Sequence, residues 1–190
     1  MAKRKVSEQT FTLWPPQFLP RSVPSSRSRV TVAGQSRRPW AMHTIDIRKA
    51  CERDLPRIKI LASQLGYDCA PNDLADRLTF LLDRQDHRIV VAELGDHNAF
   101  EVVAFAHFKK HLALLTDASL EVTGLVVHEK YRGLGIGRRL MDTAEELAKE
   151  WNVKSVRLTS NIKRSEAHRF YLGLCYEQPK TSHFFIKRLA

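Results

Sequence analysis

Cysteine and long apolar runs are both scarce in this chain of 190 residues. Its three cysteines, Cys51, Cys69 and Cys175, are odd in number and widely spaced, which fits neither a disulfide framework nor a zinc site built from paired cysteines. No apolar stretch approaches the roughly 20 residues that a membrane-spanning helix requires. These absences exclude a disulfide-stapled scaffold and a membrane-spanning helix, and we expect a cytoplasmic protein in a reducing compartment.

Acidic residues are almost missing from the first 41 residues, which contain eight Lys or Arg against Glu8 alone. Five of the eight prolines also fall there, and no period of 2 or 3.6 is sustained. We therefore predict a disordered basic extension over residues 1–41 and one globular domain over residues 42–190. An organelle transit peptide, a start-site artefact and a nucleic-acid-binding tail are the alternatives for the extension. The domain itself holds 23 basic and 20 acidic residues, so the net charge of +10 does not indicate a nucleic-acid partner.

Hydrophobic periodicity along the domain alternates between that of strands and that of helices. One apolar stripe makes residues 138–151 the clearest predicted helix, and Gly66 ends an earlier helix with Pro56 in its first turn. The predicted order is strand 44–48, helix 54–66, a helix from 71–73 to about 86, strands 88–94, 100–108 and 120–127, helix 138–151, strand 155–159, helix 165–172 and a closing strand 183–189. This order predicts an α/β domain with one mixed, mostly antiparallel sheet flanked by helices.

Three glycines in six residues, Gly133, Gly135 and Gly137, lead from strand 120–127 directly into the clearest helix. Glycine lets the backbone approach a ligand closely, and the unpaired N–H groups at a helix N-terminus attract phosphate. The spacing lacks the GxGxxG of a dinucleotide-binding turn, and no Gly-Lys-Ser/Thr of a P-loop follows. Because Arg132 and Arg138 flank the glycines, the segment predicts a phosphate-binding loop in preference to a plain turn.

The spacing Arg-x-x-Gly-x-Gly at Arg132, Gly135 and Gly137 resembles the coenzyme A loop of the GNAT superfamily of N-acetyltransferases. A second segment adds to the resemblance, because Leu158-Thr159-Ser160-Asn161 followed by Ala167-His168-Arg169-Phe170-Tyr171 is similar to the second coenzyme-binding segment of that family. The likeness spans residues 44–190. The C-terminal half is most similar to aminoalkylphosphonate N-acetyltransferases.

The resemblance implies a GNAT-type fold with acetyl-CoA as cosubstrate. In that family the strand before the loop pairs with the pantetheine arm, the loop N–H groups hold the diphosphate, and an asparagine binds the arm. The coenzyme-binding residues implied here are Leu125, Val126, Val127, Arg132, Gly133, Leu134, Gly135, Ile136, Gly137, Arg138, Asn161 and Arg164. A capping role for Asn161 and a solvated loop at Lys163 and Arg164 stay open as alternatives.

Acetyl transfer to an amine requires a neutral nucleophile, whereas an alkylamine with a pKa of about 10.4 is mostly protonated at pH 7. Glu121, on the strand that leads to the loop, is the candidate catalytic base, with a plain exposed carboxylate as the alternative. Asp117 is the second choice. By the resemblance, Tyr171 is the catalytic proton donor to the departing thiolate, and packing beside Phe170 is its alternative role.

Several other polar residues invite a functional interpretation. His107 and His111 are four residues apart on a strand, about 13 Å, which is too far to share one metal ion, and we predict no metal site. Lys109 and Lys110 are typical of a solvated edge, with contact to an anionic substrate as the alternative. Cys175 stands where the family has glycine, so we expect either a strained left-handed turn or a local rearrangement, and a small buried thiol.

The residues and the resemblance together predict an N-acetyltransferase that moves the acetyl group directly from acetyl-CoA to the primary amine of a small molecule, with aminoalkylphosphonates among the candidates. Acetylation of a protein N-terminus or lysine is the alternative, and a coenzyme A-binding regulatory module is a third hypothesis. Retention of Tyr171 beside the glycine loop argues against the module, because binding alone needs only the loop. We expect no nucleic-acid or membrane partner for the domain, and a homodimer stays open.

Overall fold

The computed structural model describes residues 44–67, 70–95 and 100–189. The predicted extension, residues 1–41, lies outside the described residues, as does Cys69. The strands are β1 (Thr44–Lys49), β2 (His87–Gly95), β3 (Phe100–His111), β4 (Ser119–Val127) and β5 (Val156–Leu158). The helices are α1 (Leu55–Ser63), α2 (Pro71–Leu82), α3 (Ile136–Glu150) and α4 (Ser165–Leu172), with 3-10 turns at Glu52–Asp54 and Glu129–Tyr131.

The five strands form one sheet in the order β1-β2-β3-β4-β5. All neighbours are antiparallel except β4 and β5, which pair in parallel over three residues each. This confirms the predicted mixed, mostly antiparallel sheet. The register between β3 and β4 shifts beside His107, which leaves Thr123 as a bulge without a register partner, although its hydroxyl donates to His107 O at 3.1 Å.

Successive side chains of each strand point to opposite faces of the sheet, so the core has two layers. One face of the sheet packs against α3, whose apolar stripe is buried as predicted for a period of 3.6. The opposite face packs against α1 and α2. The largest fully buried side chains are Phe108, Leu61, Leu120, Ile136, Leu140, Met141, Val91 and Val103. Helices therefore pack against both faces of the sheet.

The predicted closing strand over residues 183–189 is wrong. Residues 183–189 have no regular secondary structure, and Phe184 and Phe185 are each 87% exposed. Apolar, β-branched or aromatic composition provides strand propensity, but a strand forms only where a ladder partner accepts its backbone hydrogen bonds. Within the described residues, this segment pairs with no strand.

The C-terminus of α4 shows what the unusual Cys175 does. The N–H of Tyr176 donates to Tyr171 O and the N–H of Cys175 donates to Leu172 O, both at 3.0 Å, which is the Schellman arrangement that closes a helix. Cys175 therefore occupies the left-handed position, with φ of +64°. The expected left-handed turn is confirmed, whereas the expected burial is wrong, because the thiol is exposed.

Replacing Cys175 with glycine is expected to stabilise the fold. A left-handed conformation costs a residue with a Cβ about 1–2 kcal/mol, and glycine removes this strain. The larger conformational entropy of glycine in the unfolded chain offsets part of the stability gained. We expect a net gain of about 0.5–1 kcal/mol, seen as a rise of about 1–4 °C in melting temperature. Cys175→Ser keeps the strain and is the matched control, with an unchanged melting temperature. A melting temperature for Cys175→Gly at or below that of the unsubstituted chain contradicts the prediction.

Candidate active site

The segment between β4 and α3 forms an open, cationic turn. Gly133 and Gly135 adopt φ values of +78° and +79°, and a Cβ on either glycine would meet no atom within 4 Å. Arg132 and Arg138 are exposed beside them, and the first turn of α3 contains no acidic residue. In the described part of the chain, no carbonyl accepts a hydrogen bond from the N–H groups of residues 133–138. The turn therefore has the free donors and positive charge that a diphosphate site requires, and binding of a diphosphate there stays a prediction.

Gly137 has a different role from the two left-handed glycines. A Cβ at this position would lie 3.1 Å from Cζ of Phe170, which is tighter than ordinary contact. Gly137 thus lets α3 and α4 approach closely. This contact holds α4, and with it the neighbouring Tyr171, beside the turn.

One edge of β4 is free next to the turn. The ladder between β4 and β5 ends at Val122 and Leu158, whereas β4 continues to Val127. Along residues 123–127, β3 occupies one edge, and no described strand occupies the other. An extended ligand with amide groups can therefore pair with this edge, which contains Leu125, Val126 and Val127.

Tyr171 lies in an aromatic cluster at the end of α4. Its ring packs edge-on against Phe170, with centroids 5.1 Å apart, and against Tyr176 at 6.1 Å. Burial raises the pKa of the Tyr171 phenol above its ordinary 10, and the positive charge of Arg164 partly opposes that rise. The hydroxyl therefore stays protonated at pH 7. Tyr171 therefore packs beside Phe170, which is the alternative role given above, and its phenol also carries the proton that a catalytic donor needs.

Asn161 and Arg164 form the turn that leads into α4. The Oδ1 of Asn161 accepts from the N–H of Lys163 at 2.9 Å, and its carbonyl accepts from the N–H of Arg164 at 2.9 Å and lies 3.0 Å from Nε2 of His168. The side chain thus closes an Asx turn, a local structural role, and α4 itself has no side-chain cap at Arg164. The guanidinium of Arg164 donates to Leu65 O at 3.1 Å, at the end of α1. Contact of either side chain with the coenzyme stays a prediction.

Glu121 lies where β4 is paired on both sides. Its register partners are Lys109 on β3 and Arg157 on β5. One carboxylate oxygen, Oε2, is 3.3 Å from Nδ1 of His111 and 4.0 Å from Nε of Arg157, and the side chain is 23% exposed. Beyond Val122 and Leu158 the strands β4 and β5 are no longer paired, which leaves a gap between them. Glu121 is accessible directly beside the point where this β4–β5 gap begins. Asp117 is exposed in the loop before β4.

A pair of histidines on the same sheet face was missed by the sequence analysis. The Nε2 of His107 is 2.8 Å from Nδ1 of His87, so one ring donates and the other accepts. Burial, helped by the charges of His87 and Lys109, lowers the pKa of His107 to about 4. His111 lies with Glu121 instead, so His107 and His111 do not converge. The register of β2 against β3 is the signal that would reveal His87.

No group of three or more His, Cys, Asp or Glu side chains that could hold a metal ion occurs within residues 44–67, 70–95 and 100–189.

The two neighbouring lysines of β3 have different surroundings. Lys110 is not simply solvated, because its Nζ donates to Trp151 O at 3.0 Å. Lys109 remains as the lysine that shares a face with Glu121.

The comparison with protein families decides what this arrangement is. The acetyltransferase (GNAT) family model matches residues 55–174, which include the glycine turn, β4 and α4. The chain belongs to the GNAT acetyltransferase family. This GNAT domain is also 33% identical over 161 residues to the aminoalkylphosphonate N-acetyltransferase of Salmonella typhimurium LT2, covering 80% of this chain and 97% of that protein.

Solved structures agree with this assignment. The GNAT fold described here matches aminoglycoside N-acetyltransferase AAC(6')-Iy in complex with CoA, with a TM-score of 0.67, 15% identity, and coverage of 76% of this chain and 95% of that one. It also matches a transcriptional regulator from Bacillus halodurans C-125, with a TM-score of 0.59, 25% identity, and coverage of 77% and 99%. This GNAT protein is an N-acetyltransferase, and acetyl-CoA is its cosubstrate. Among the described helices, none is both long and apolar enough to span a membrane.

Replacing Gly135 with leucine is expected to weaken coenzyme A binding at least about 10-fold, since the new side chain projects from the turn into the space a diphosphate needs. Calorimetric titration with coenzyme A measures this directly. Gly135→Ala shares the left-handed strain but adds only a methyl group, so its loss should be smaller. Coenzyme affinity unchanged in Gly135→Leu contradicts the assignment of the turn to the diphosphate.

Proposed function

We propose that this GNAT enzyme acetylates the primary amine of a small molecule that also carries an anionic group, with an aminoalkylphosphonate as the model acceptor. The observation that carries the proposal is the identity of 33% over nearly the whole length of an aminoalkylphosphonate N-acetyltransferase. The position of Glu121 supports it, because Lys109 and Arg157 flank this carboxylate on the same sheet face. Two cations beside one carboxylate leave positive charge for an anionic acceptor.

The reaction in this proposal is direct transfer. The neutral amine nitrogen attacks the thioester carbonyl carbon, the C–N bond forms, and the C–S bond breaks. Glu121, directly or through a water molecule, takes the proton that converts the ammonium form of the acceptor to the free amine. After the attack the nitrogen loses a second proton, which replaces the one that Tyr171 gives up. Tyr171 gives its phenolic proton to the departing sulfur. An alkylamine of pKa about 10.4 needs roughly 4.6 kcal/mol to reach its neutral form at pH 7, which is why a base contributes more than an acid to this reaction.

A panel of amines, assayed by release of the coenzyme thiol from acetyl-CoA, tests the proposal. We expect kcat/KM for 2-aminoethylphosphonate to exceed that of ethylamine and of a peptide N-terminus at least about 10-fold. Ethylamine is the matched control, because it lacks only the anionic group. Preference for the peptide would favour the alternative of protein acetylation. Coenzyme binding without thiol release from any acceptor would favour the regulatory module.

A further inference from the structure

A chain of three polar side chains joins α1, β3 and the start of the coenzyme turn. The Oη of Tyr131 donates to Oε2 of Glu101 at 2.8 Å. The other oxygen of Glu101 accepts from Nη2 of Arg57, and Nε of Arg57 donates to Val102 O at 3.0 Å. Arg57, Glu101 and Tyr131 are called the loop latch below. None of them belongs to the coenzyme-binding residues named above.

The loop latch acts at the point where the turn leaves the sheet. The N–H of His128 donates to Val103 O at 2.9 Å, and the N–H of Glu129 donates at 3.3 Å to Oε1 of Gln64, the residue that caps the C-terminus of α1. The N–H of Tyr131 donates to His128 O at 2.9 Å. Backbone and side-chain bonds thus tie residues 128–131 to β3 and to α1, and the free N–H groups begin two residues later.

Glycine is the residue that loses the most conformational freedom when a chain becomes ordered. Residues 133–137 contain three glycines, so binding a diphosphate there orders a segment of high intrinsic entropy. A tie at Tyr131 restricts that segment before the ligand arrives. A tie of this kind should strengthen binding and leave the chemical step unchanged, because no latch residue in the described structure forms a hydrogen bond, ion pair or ring contact with Tyr171 or with the carboxylate of Glu121.

We propose that the loop latch preorganises the glycine turn for coenzyme A, with Glu101 as a positioning residue that acts through Tyr131. Arg57 has a second effect within the latch. The carboxylate of Glu101 accepts from Tyr131, which directly precedes the glycine turn, and a lone negative charge near that turn would repel the diphosphate. The ion pair with Arg57 neutralises that charge, and the hydrogen bond to Glu101 also raises the pKa of Tyr131, which keeps its phenol a donor.

Tyr131→Phe tests the proposal, because it keeps the ring and removes only the donor. Calorimetry with coenzyme A alone should show a Kd about 3- to 10-fold higher, as expected for one exposed hydrogen bond to a charged group. The KM for acetyl-CoA should rise by the same factor, while kcat stays within about twofold. Glu101→Ala should reproduce the effect, and the double variant should be no weaker than either single variant.

Glu150→Gln is the matched control, since it removes a surface partner of Arg88, 3.2 Å away, at the end of α3 remote from the turn. Its Kd for coenzyme A should be unchanged. Glu101→Gln, which keeps an acceptor oxygen, should recover part of the affinity lost in Glu101→Ala. Unchanged Kd in Tyr131→Phe and Glu101→Ala overturns the proposal, as does a fall in kcat alone or additive losses in the double variant. Coenzyme binding needs no acceptor, so the test stands even if the proposed acceptor is wrong.

Discussion

Tyr171→Phe is expected to lower kcat by about 10²- to 10⁴-fold, the range for loss of a positioned acid, while the Kd for coenzyme A stays within about twofold. The substitution keeps the ring that packs on Phe170 and Tyr176 and removes only the proton. Burial keeps the pKa of this phenol above its ordinary value, so the proton is present throughout the neutral range. Single-turnover thiol release measures the chemical step, and calorimetry measures binding.

Tyr176→Phe is the control for Tyr171→Phe. It removes a phenol from the same aromatic cluster, one that donates to Oε1 of Glu145 at 3.4 Å on the surface. We expect its kcat to stay within about twofold of the unsubstituted enzyme. If the kcat of Tyr171→Phe also stays within about twofold of that of the unsubstituted enzyme, Tyr171 only packs, and the sulfur takes its proton from water.

Glu121→Gln is expected to change the pH dependence of the reaction as well as its rate. If Glu121 is the base, kcat/KM should fall about 10²-fold near pH 7, where the alkylamine is almost wholly protonated. The loss should shrink as the pH rises toward the pKa of the amine, because free amine then forms without a base. A pH–rate profile from pH 6 to 10 measures both effects.

Glu150→Gln again supplies a matched control, because its carboxylate pairs with an arginine away from the β4–β5 gap. Its profile should run parallel to that of the unsubstituted enzyme. A parallel profile in Glu121→Gln would refute Glu121 as base and direct attention to a water molecule held by backbone carbonyls near the bulge at Thr123.

Local signals in the sequence accounted for most of the fold. Helix 165–172 begins and ends as predicted, and Gly66 adopts φ of +85° in the turn that closes α1 after Ser63. The predicted helix over 138–151 is α3, Ile136–Glu150, because its apolar stripe has a period of 3.6 and is buried against the sheet. These features depend on residues within a few positions of one another, which is why periodicity and glycine positions reveal them.

Features that depend on distant residues were not predicted. His87 meets His107 only through the register of β2 on β3, and Glu101 meets Tyr131 across 30 positions of sequence. Neither pair leaves a periodic signal. The error at residues 183–189 has the same origin, because propensity says nothing about whether a ladder partner is present. For the site, motif spacing predicted the glycine turn. It did not predict the hydrogen bonds of Asn161 to Lys163 and of Arg164 to Leu65, because these depend on the conformation of the turn before α4 and on the position of α1.

The exposed segment at residues 183–189 has a consequence for the solubility of the protein. Three consecutive apolar residues, Phe184, Phe185 and Ile186, are accessible in a chain whose last strand, β5, has a free edge in the described structure. Short aromatic and β-branched runs of this kind promote cross-β association between copies. Lys187 and Arg188 follow immediately, and their like charges repel when such segments stack. We therefore expect these two cations to oppose association between copies through this segment.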